Sequence, residues 1–80
     1  MPNLSSNRQD PLLVSLGQTI RRIRLEKEVS QEQLALLAEI DRSHLGRIER
    51  GDNNVAVLTL ARVAKVLGIT LAELMSAAEL

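Results

Sequence analysis

The sequence predicts an all-α domain of five helices, and three observations carry that prediction. Apolar residues recur every three or four positions along most of the chain, capping residues stand where such stretches begin, and no segment alternates apolar and polar residues over the length of a strand. With 80 residues there is enough chain for one domain, and 45% of it is hydrophobic although Phe, Tyr and Trp are absent. The core must therefore be built from branched aliphatics, Leu, Ala and Met, which suits helix packing. Cysteine is also absent, which removes a disulfide framework and a thiolate metal site and leaves packing alone to hold the fold. The apolar runs are far shorter than the ~20 residues that cross a bilayer, and residues 1–10 lack the apolar stretch of a signal peptide. A soluble, cytoplasmic protein with no membrane partner is the expectation.

Residues 1–10 are polar and aperiodic and read as a flexible tail that adds nothing to the fold, leaving residues 11–80 to form the domain. Asp10-Pro11 starts the first helix: Asp accepts from free N–H groups of the first turn, and Pro at the first position forfeits no bond. That helix is expected over about residues 11–28, with Leu13, Leu16, Ile20, Ile23 and the stem of Lys27 on its inner stripe. Ser30 and Gln33 have the spacing of a capping box and open a second helix, about residues 31–38. Asp41 is the next capping residue, so a third helix, about residues 42–50, follows a very tight turn. Two short helices joined this closely cross steeply, which makes residues 30–50 a helix-turn-helix. Gly51 can take the left-handed backbone that ends a helix. Asp52, Asn53 and Asn54 form a polar loop before a fourth helix, about residues 57–67, with Leu58, Ala61, Ala64 and Leu67 to one side. Gly68 stops it, Thr70 and Glu73 make a second capping box, and a fifth helix covers about residues 71–78 with Leu74 and Met75 apolar.

Ten basic and ten acidic side chains give a formal net charge of zero, whereas phosphate attraction supplies much of the affinity of nucleic-acid binders. Distribution matters more than the sum. Arg21, Arg22, Arg24 and Lys27 form one basic group and Arg42, Arg47 and Arg50 another, while Asp52, Glu73 and Glu79 leave the C-terminal part slightly acidic. One positive face is expected.

Several segments stand in a specific order: Ile23-Arg24, Val29-Ser30-Gln31-Glu32-Gln33-Leu34-Ala35, Asp41-Arg42-Ser43, Ile48-Glu49-Arg50-Gly51 and Leu67-Gly68-Ile69-Thr70-Leu71-Ala72-Glu73-Leu74. On these, residues 20–74 resemble the phage-repressor (Xre/Cro) class of helix-turn-helix proteins, and the stretch from Asp41 to Gly51 looks most like the controller proteins of restriction-modification systems. Each piece alone is weak; their order and spacing together are specific. The resemblance implies a compact five-helix domain of the phage-repressor type whose third helix enters the major groove of double-stranded DNA. It places Arg42, Ser43 and Arg47 at the base edges with His44 beside them. Arg can bond O6 and N7 of guanine together, worth ~1–3 kcal/mol of discrimination, whereas Ser serves several bases. Gln31 resembles the family residue that holds phosphate at the start of the second helix, where free N–H groups and the dipole attract anions. Arg50, Asn53 and Asn54 are further phosphate candidates, although a terminal Arg also suits its own helix dipole and the asparagines also suit a turn. Glu49 is implied to pair with Arg24 as a structural ion pair locking helices one and three.

Two residues depart from the family pattern. His44 stands where many controller relatives carry an aromatic residue; as the sole histidine in a cysteine-free chain it lacks the partners of a metal or catalytic site. Gly46 replaces a common Ser at a helix-propensity cost of ~1 kcal/mol, either to let the helix approach DNA closely or because the second helix packs tightly there.

A single short recognition helix covers half an operator, so a homodimer on a (pseudo)palindromic site is expected. Val55, Val57, Leu71, Met75 and Leu80, with Leu60 and Val66, exceed what one small core readily absorbs and point to a dimer surface through the C-terminal helix and the start of the fourth. The function expected is a sequence-specific transcriptional regulator. Two other readings stay open: the antitoxin of a toxin-antitoxin pair, and a helical protein-protein adaptor without DNA binding. A single-strand or RNA binder lacks its stacking aromatics. Neither an enzyme, a cofactor nor a small-molecule ligand is expected, since no nucleophile-base pair, paired carboxylates or phosphate loop is present.

Overall fold

In the computed structural model, which describes residues 9–80, the chain forms five α-helices: α1 (Pro11–Glu26), α2 (Gln31–Ala38), α3 (Arg42–Arg50), α4 (Val57–Val66) and α5 (Leu71–Ala77). α1 packs on α3 and α5, α2 on α3 and α4, and α4 on α5. This is the expected all-α, five-helix arrangement of the phage-repressor type. No helix among the described residues is long and apolar enough to cross a membrane.

Local chemistry accounts for the boundaries. α1 begins where the Asp10 carboxylate accepts from the Leu12 N–H at 2.9 Å with Pro11 in the first position. It stops two residues earlier than expected because Glu28 turns into left-handed backbone, φ 58°, and Val29 N–H donates back to the Arg24 carbonyl. α2 carries a complete capping box: Ser30 Oγ accepts from Gln33 N–H at 3.0 Å, and Gln33 Oε1 accepts from Ser30 N–H at 2.9 Å. Glu39, at φ 62°, ends α2. Asp41 takes the N-cap position of α3, but its side chain makes no capping bond there, so the third helix starts on the turn rather than on a cap. Gly51, at φ 80°, closes α3. Thr70 and Glu73 form the second capping box, on α5.

The core consists of Leu16, Ile20 and Ile23 from α1, Leu34, Ala35 and Ala38 from α2, Leu45 and Ile48 from α3, and Leu60, Val63, Ala64, Leu67, Leu74 and Ala78 beyond. Expectation and structure part at α4. Its inner face is Leu60, Val63, Ala64 and Leu67, whereas Leu58 is exposed and Ala61 half-buried. The reason is that Val57, Leu58, Leu60, Ala61, Val63 and Ala64 are apolar on overlapping three-residue stripes, so periodicity alone does not choose the buried one. Leu60, counted as surplus apolar surface from sequence, thus belongs to the core.

The tail also needs correction at its end. Gln9 is held: its N–H donates to the Gly51 carbonyl at 2.7 Å, and its Nε2 donates to the Arg50 carbonyl at 2.8 Å and to Asp52 Oδ1 at 2.6 Å. The residue entering α1 is therefore tied to the end of α3. The rest of the tail, residues 1–8, lies outside the described residues.

The backbones of α1 and α3 approach one another closely at Gly17. A Cβ placed on Gly17 would lie 2.7 Å from the Glu49 carbonyl oxygen and nearer still to that of Ile48, so only a residue without a side chain lets these backbones meet. From the other side of α1, Ser15 Oγ donates to the Ala78 carbonyl at 2.8 Å and fastens α5. Gly17→Ala is expected to lower the unfolding free energy by about 3 kcal/mol, the upper part of the usual range for overpacking. Urea unfolding measures this, and a midpoint equal to the parent's would show that α1 and α3 can separate without cost.

Candidate nucleic-acid interface

Successive residues of a helix turn by about 100°, so α3 divides cleanly. Leu45, Gly46, Ile48 and Glu49 are buried. Arg42, Ser43, Arg47 and Arg50 are exposed, running from Arg42 at the edge next to Glu49 round to Arg47 on the far side. Three guanidinium groups and a hydroxyl are thus exposed along one short helix. Such a face suits a groove lined with acceptors and phosphates.

Beneath it lies a buried polar cluster. Arg24 of α1 donates to both oxygens of Glu49, from Nε to Oε2 at 2.7 Å and from Nη2 to Oε1 at 3.1 Å. Both residues are nearly sealed from solvent, 7% and 5% exposed. Arg24 Nη1 also donates to the Val29 carbonyl at 3.0 Å, which holds the turn between α1 and α2. Glu49 Oε1 accepts a further bond from Gln31 Nε2 at 3.0 Å, so the carboxylate joins α1, α2 and α3. Fork-to-fork pairing of this kind fixes orientation as well as separation.

Gln31 therefore does more than open α2. Its Nε2 is bonded to Glu49, and its Oε1 accepts from Arg42 Nη1 across 3.5 Å, a long contact that connects the buried cluster to the exposed face. Reading the sequence locally assigns this residue to capping and phosphate; the bond to Glu49, eighteen positions away, has no local signature. Arg50 is well exposed and donates from Nε to Asp52 Oδ2 at 3.1 Å. Asp52 in turn is the residue gripped by Gln9, so the chain entering α1 helps set the position of Arg50. Asn53 is half-buried and Asn54 exposed on the loop that follows.

His44 does not join the exposed face. It is half-buried, its Nε2 is enclosed and has no hydrogen-bond partner among the described residues, and its ring lines a hollow with Ala35, Leu36, Ile40 and Asp41. The helix turn places it about 100° beyond Ser43, on the side facing the α2–α3 turn, so it stands apart from the three residues it was grouped with. On α1, Arg24 is consumed by its ion pair and Arg22 lies 3.5 Å from Glu26, which leaves less free positive charge there than the sequence suggests.

Residues 20–74 match a family model described as helix-turn-helix. Among curated proteins, the control protein C.MunI of Mycoplasma sp is 38% identical over 64 residues, covering 79% of this chain and 86% of that protein. Among solved structures, the restriction-modification controller protein C.AhdI from Aeromonas hydrophila is 44% identical with a TM-score of 0.76, covering 78% of this chain and 94% of that one. The clp gene regulator ClgR from Corynebacterium glutamicum superposes with a TM-score of 0.82 at 31% identity, over 85% of this chain and 72% of that one. The fold is thus shared across regulators, and restriction-modification controller proteins recur among both the curated relatives and the solved structures.

The buried pair offers a direct test of what holds the recognition face. Glu49→Ala is expected to lower stability by about 3–5 kcal/mol, because it leaves the Arg24 charge buried without its partner. Replacing both, Arg24→Met with Glu49→Leu, should recover much of that loss. Thermal unfolding of the three variants decides it, and a Glu49→Ala protein that melts with the parent would refute the locking role.

Proposed function

Because the chain belongs to the Xre/Cro-like class of helix-turn-helix regulators, and closely resembles restriction-modification controller proteins, we propose that it binds a (pseudo)palindromic operator as a homodimer and controls transcription there. The observation that carries this reading is the exposure of Arg42, Ser43 and Arg47 together on the short helix α3. In the proposed complex α3 lies in the major groove, Arg42 and Arg47 bond guanine, and Ser43 adds a less selective contact. Gln31, Arg50, Asn53 and Asn54 hold the flanking phosphates, with the first turn of α2 aimed at the backbone.

A second copy supplies the second half-site. Val57 and Leu80 are exposed, at 67% and 50%, while Val55, Leu71 and Met75 are only partly covered by the core, which supports a dimer surface formed by α5 and the start of α4. Apolar area of this sort is more readily explained by a partner than by solvent. Two copies related by a two-fold axis present two α3 faces to one side of the duplex.

Selection of bound duplexes from a random pool tests base reading. Arg42→Ala and Arg47→Ala should each cost about 1–3 kcal/mol on the selected site and relax its sequence at one position per half-site. Variants that select the parent's motif unchanged would overturn the assignment. Sedimentation of the parent at tens of micromolar should give twice the monomer mass, and Val57→Asp with Leu80→Asp should give the monomer without loss of helix content. A parent that stays monomeric at that concentration would remove the homodimer.

A further inference from the structure

We propose that Gly46 is the seat of a DNA backbone phosphate, a binding role created by the side chain it lacks; this rests on the duplex-binding reading above. The other described glycines each have a structural reason. Gly17 is required by the contact of α1 with α3, where a Cβ would meet backbone atoms. Gly51 and Gly68 have φ of 80° and 79°, a region that favours glycine. Gly46 has neither reason. It lies inside α3, and a Cβ built there would meet only Arg50 Nη1 at 3.4 Å and Gln31 Nε2 at 3.9 Å, the far ends of two flexible side chains. Alanine fits and is the better helix former. α2 does not press on this position with backbone, so what excludes a side chain is not intramolecular packing.

The surroundings indicate what does. Gly46 follows Arg42 by one turn, precedes Arg50 by one turn and adjoins Arg47; it is itself buried, so the gap beside these arginines opens only as the flexible tips of Arg50 and Gln31 move off it. Its two nearest neighbours are both N–H donors. Gln31 Nε2 carries two hydrogens and gives one to Glu49; the Arg50 bond to Asp52 uses Nε, not Nη1. Glu49 behind them is neutralised by Arg24. A gap floored by a bare Cα and bordered by a cation and a spare amide hydrogen fits an anionic oxygen. Gln31 begins α2, the helix that crosses the backbone in the proposed complex, which favours phosphate over a base edge. One phosphate oxygen in the gap would take both donors at once.

The test compares Gly46→Ala with the parent. The variant should melt at the same temperature or higher, select the same operator, and bind every duplex, specific or not, about tenfold more weakly, the equivalent of one charge-assisted contact. A scan of neutral methylphosphonates along the selected operator should find one position per half-site that weakens the parent but barely affects Gly46→Ala. Unchanged affinity would overturn the seat, as would a loss confined to particular base pairs, which would make the gap a base pocket. A variant melting well below the parent would also overturn it, by showing that the fold itself requires glycine. Failure of the parent to select any duplex would instead sink the duplex-binding reading on which the seat depends.

Discussion

The contact of α1 with α3 sets the position of everything that faces the proposed ligand. α3 has nine residues, too few to hold a helix in isolation, so its conformation is maintained by what lies beneath it. Gly17 allows the two backbones to touch, and the Arg24–Glu49 pair then fixes the rotation of α3 about its own axis. Rotation is the quantity that matters for reading a groove, since a turn of 100° would exchange Arg47 for Ile48. A buried ion pair contributes little net stability because two charges are taken from water, but a two-point guanidinium-carboxylate bond has one good geometry. Apolar packing of Leu45 and Ile48 supplies the energy; the pair supplies the angle.

The same cluster extends outward through Gln31. An amide has a donor end and an acceptor end, and here the donor end meets Glu49 while the acceptor end meets Arg42. Removing charge from the buried carboxylate therefore bears on an exposed arginine two bonds away, without any shift of helix axes. Gln9 performs a comparable service at the other end of α3, holding Asp52, which holds Arg50. Both ends of the exposed face are thus braced by residues from outside α3, one from α2 and one from the segment entering α1.

Much of this was legible in the sequence because it was local. Both capping boxes, the Asp10-Pro11 start and the Gly51 stop depend on residues within a few positions of one another, and the helix-turn-helix follows from them. What was not legible depends on distance or on degeneracy. The grip of Gln9 spans 41 positions to Arg50, and no pattern around residue 9 encodes it. α4 is apolar on too many sides for a stripe to be chosen, and the choice fell to the surface that α2 and α5 presented. His44 neighbours Ser43 in sequence, whereas one further residue of helical rotation sets it against the α2–α3 turn. Glu28 and Glu39 end their helices in left-handed backbone, a conformation that sequence reading reserves for glycine and asparagine.

A net charge of zero looks at first like an argument against a phosphate-bearing partner, but the structure shows where the acids are engaged. Asp10 caps α1, Glu73 caps α5, Glu26 faces Arg22, and Glu49 is cancelled inside the fold by an arginine from another helix. None of these subtracts from the outward field of α3, whose only acidic residue is the buried Glu49; Asp52, paired with Arg50 just beyond its C-terminal end, offsets one of its charges. Charges more than a Debye length apart, about 8 Å at physiological ionic strength, scarcely feel one another through solvent. The positive field is therefore local to one helix face and is felt chiefly on contact. Long-range attraction to arbitrary DNA is correspondingly weak, since that attraction follows the overall charge. For a small regulator this raises discrimination: with little general pull toward phosphate, binding must come from contacts that only a matching site completes.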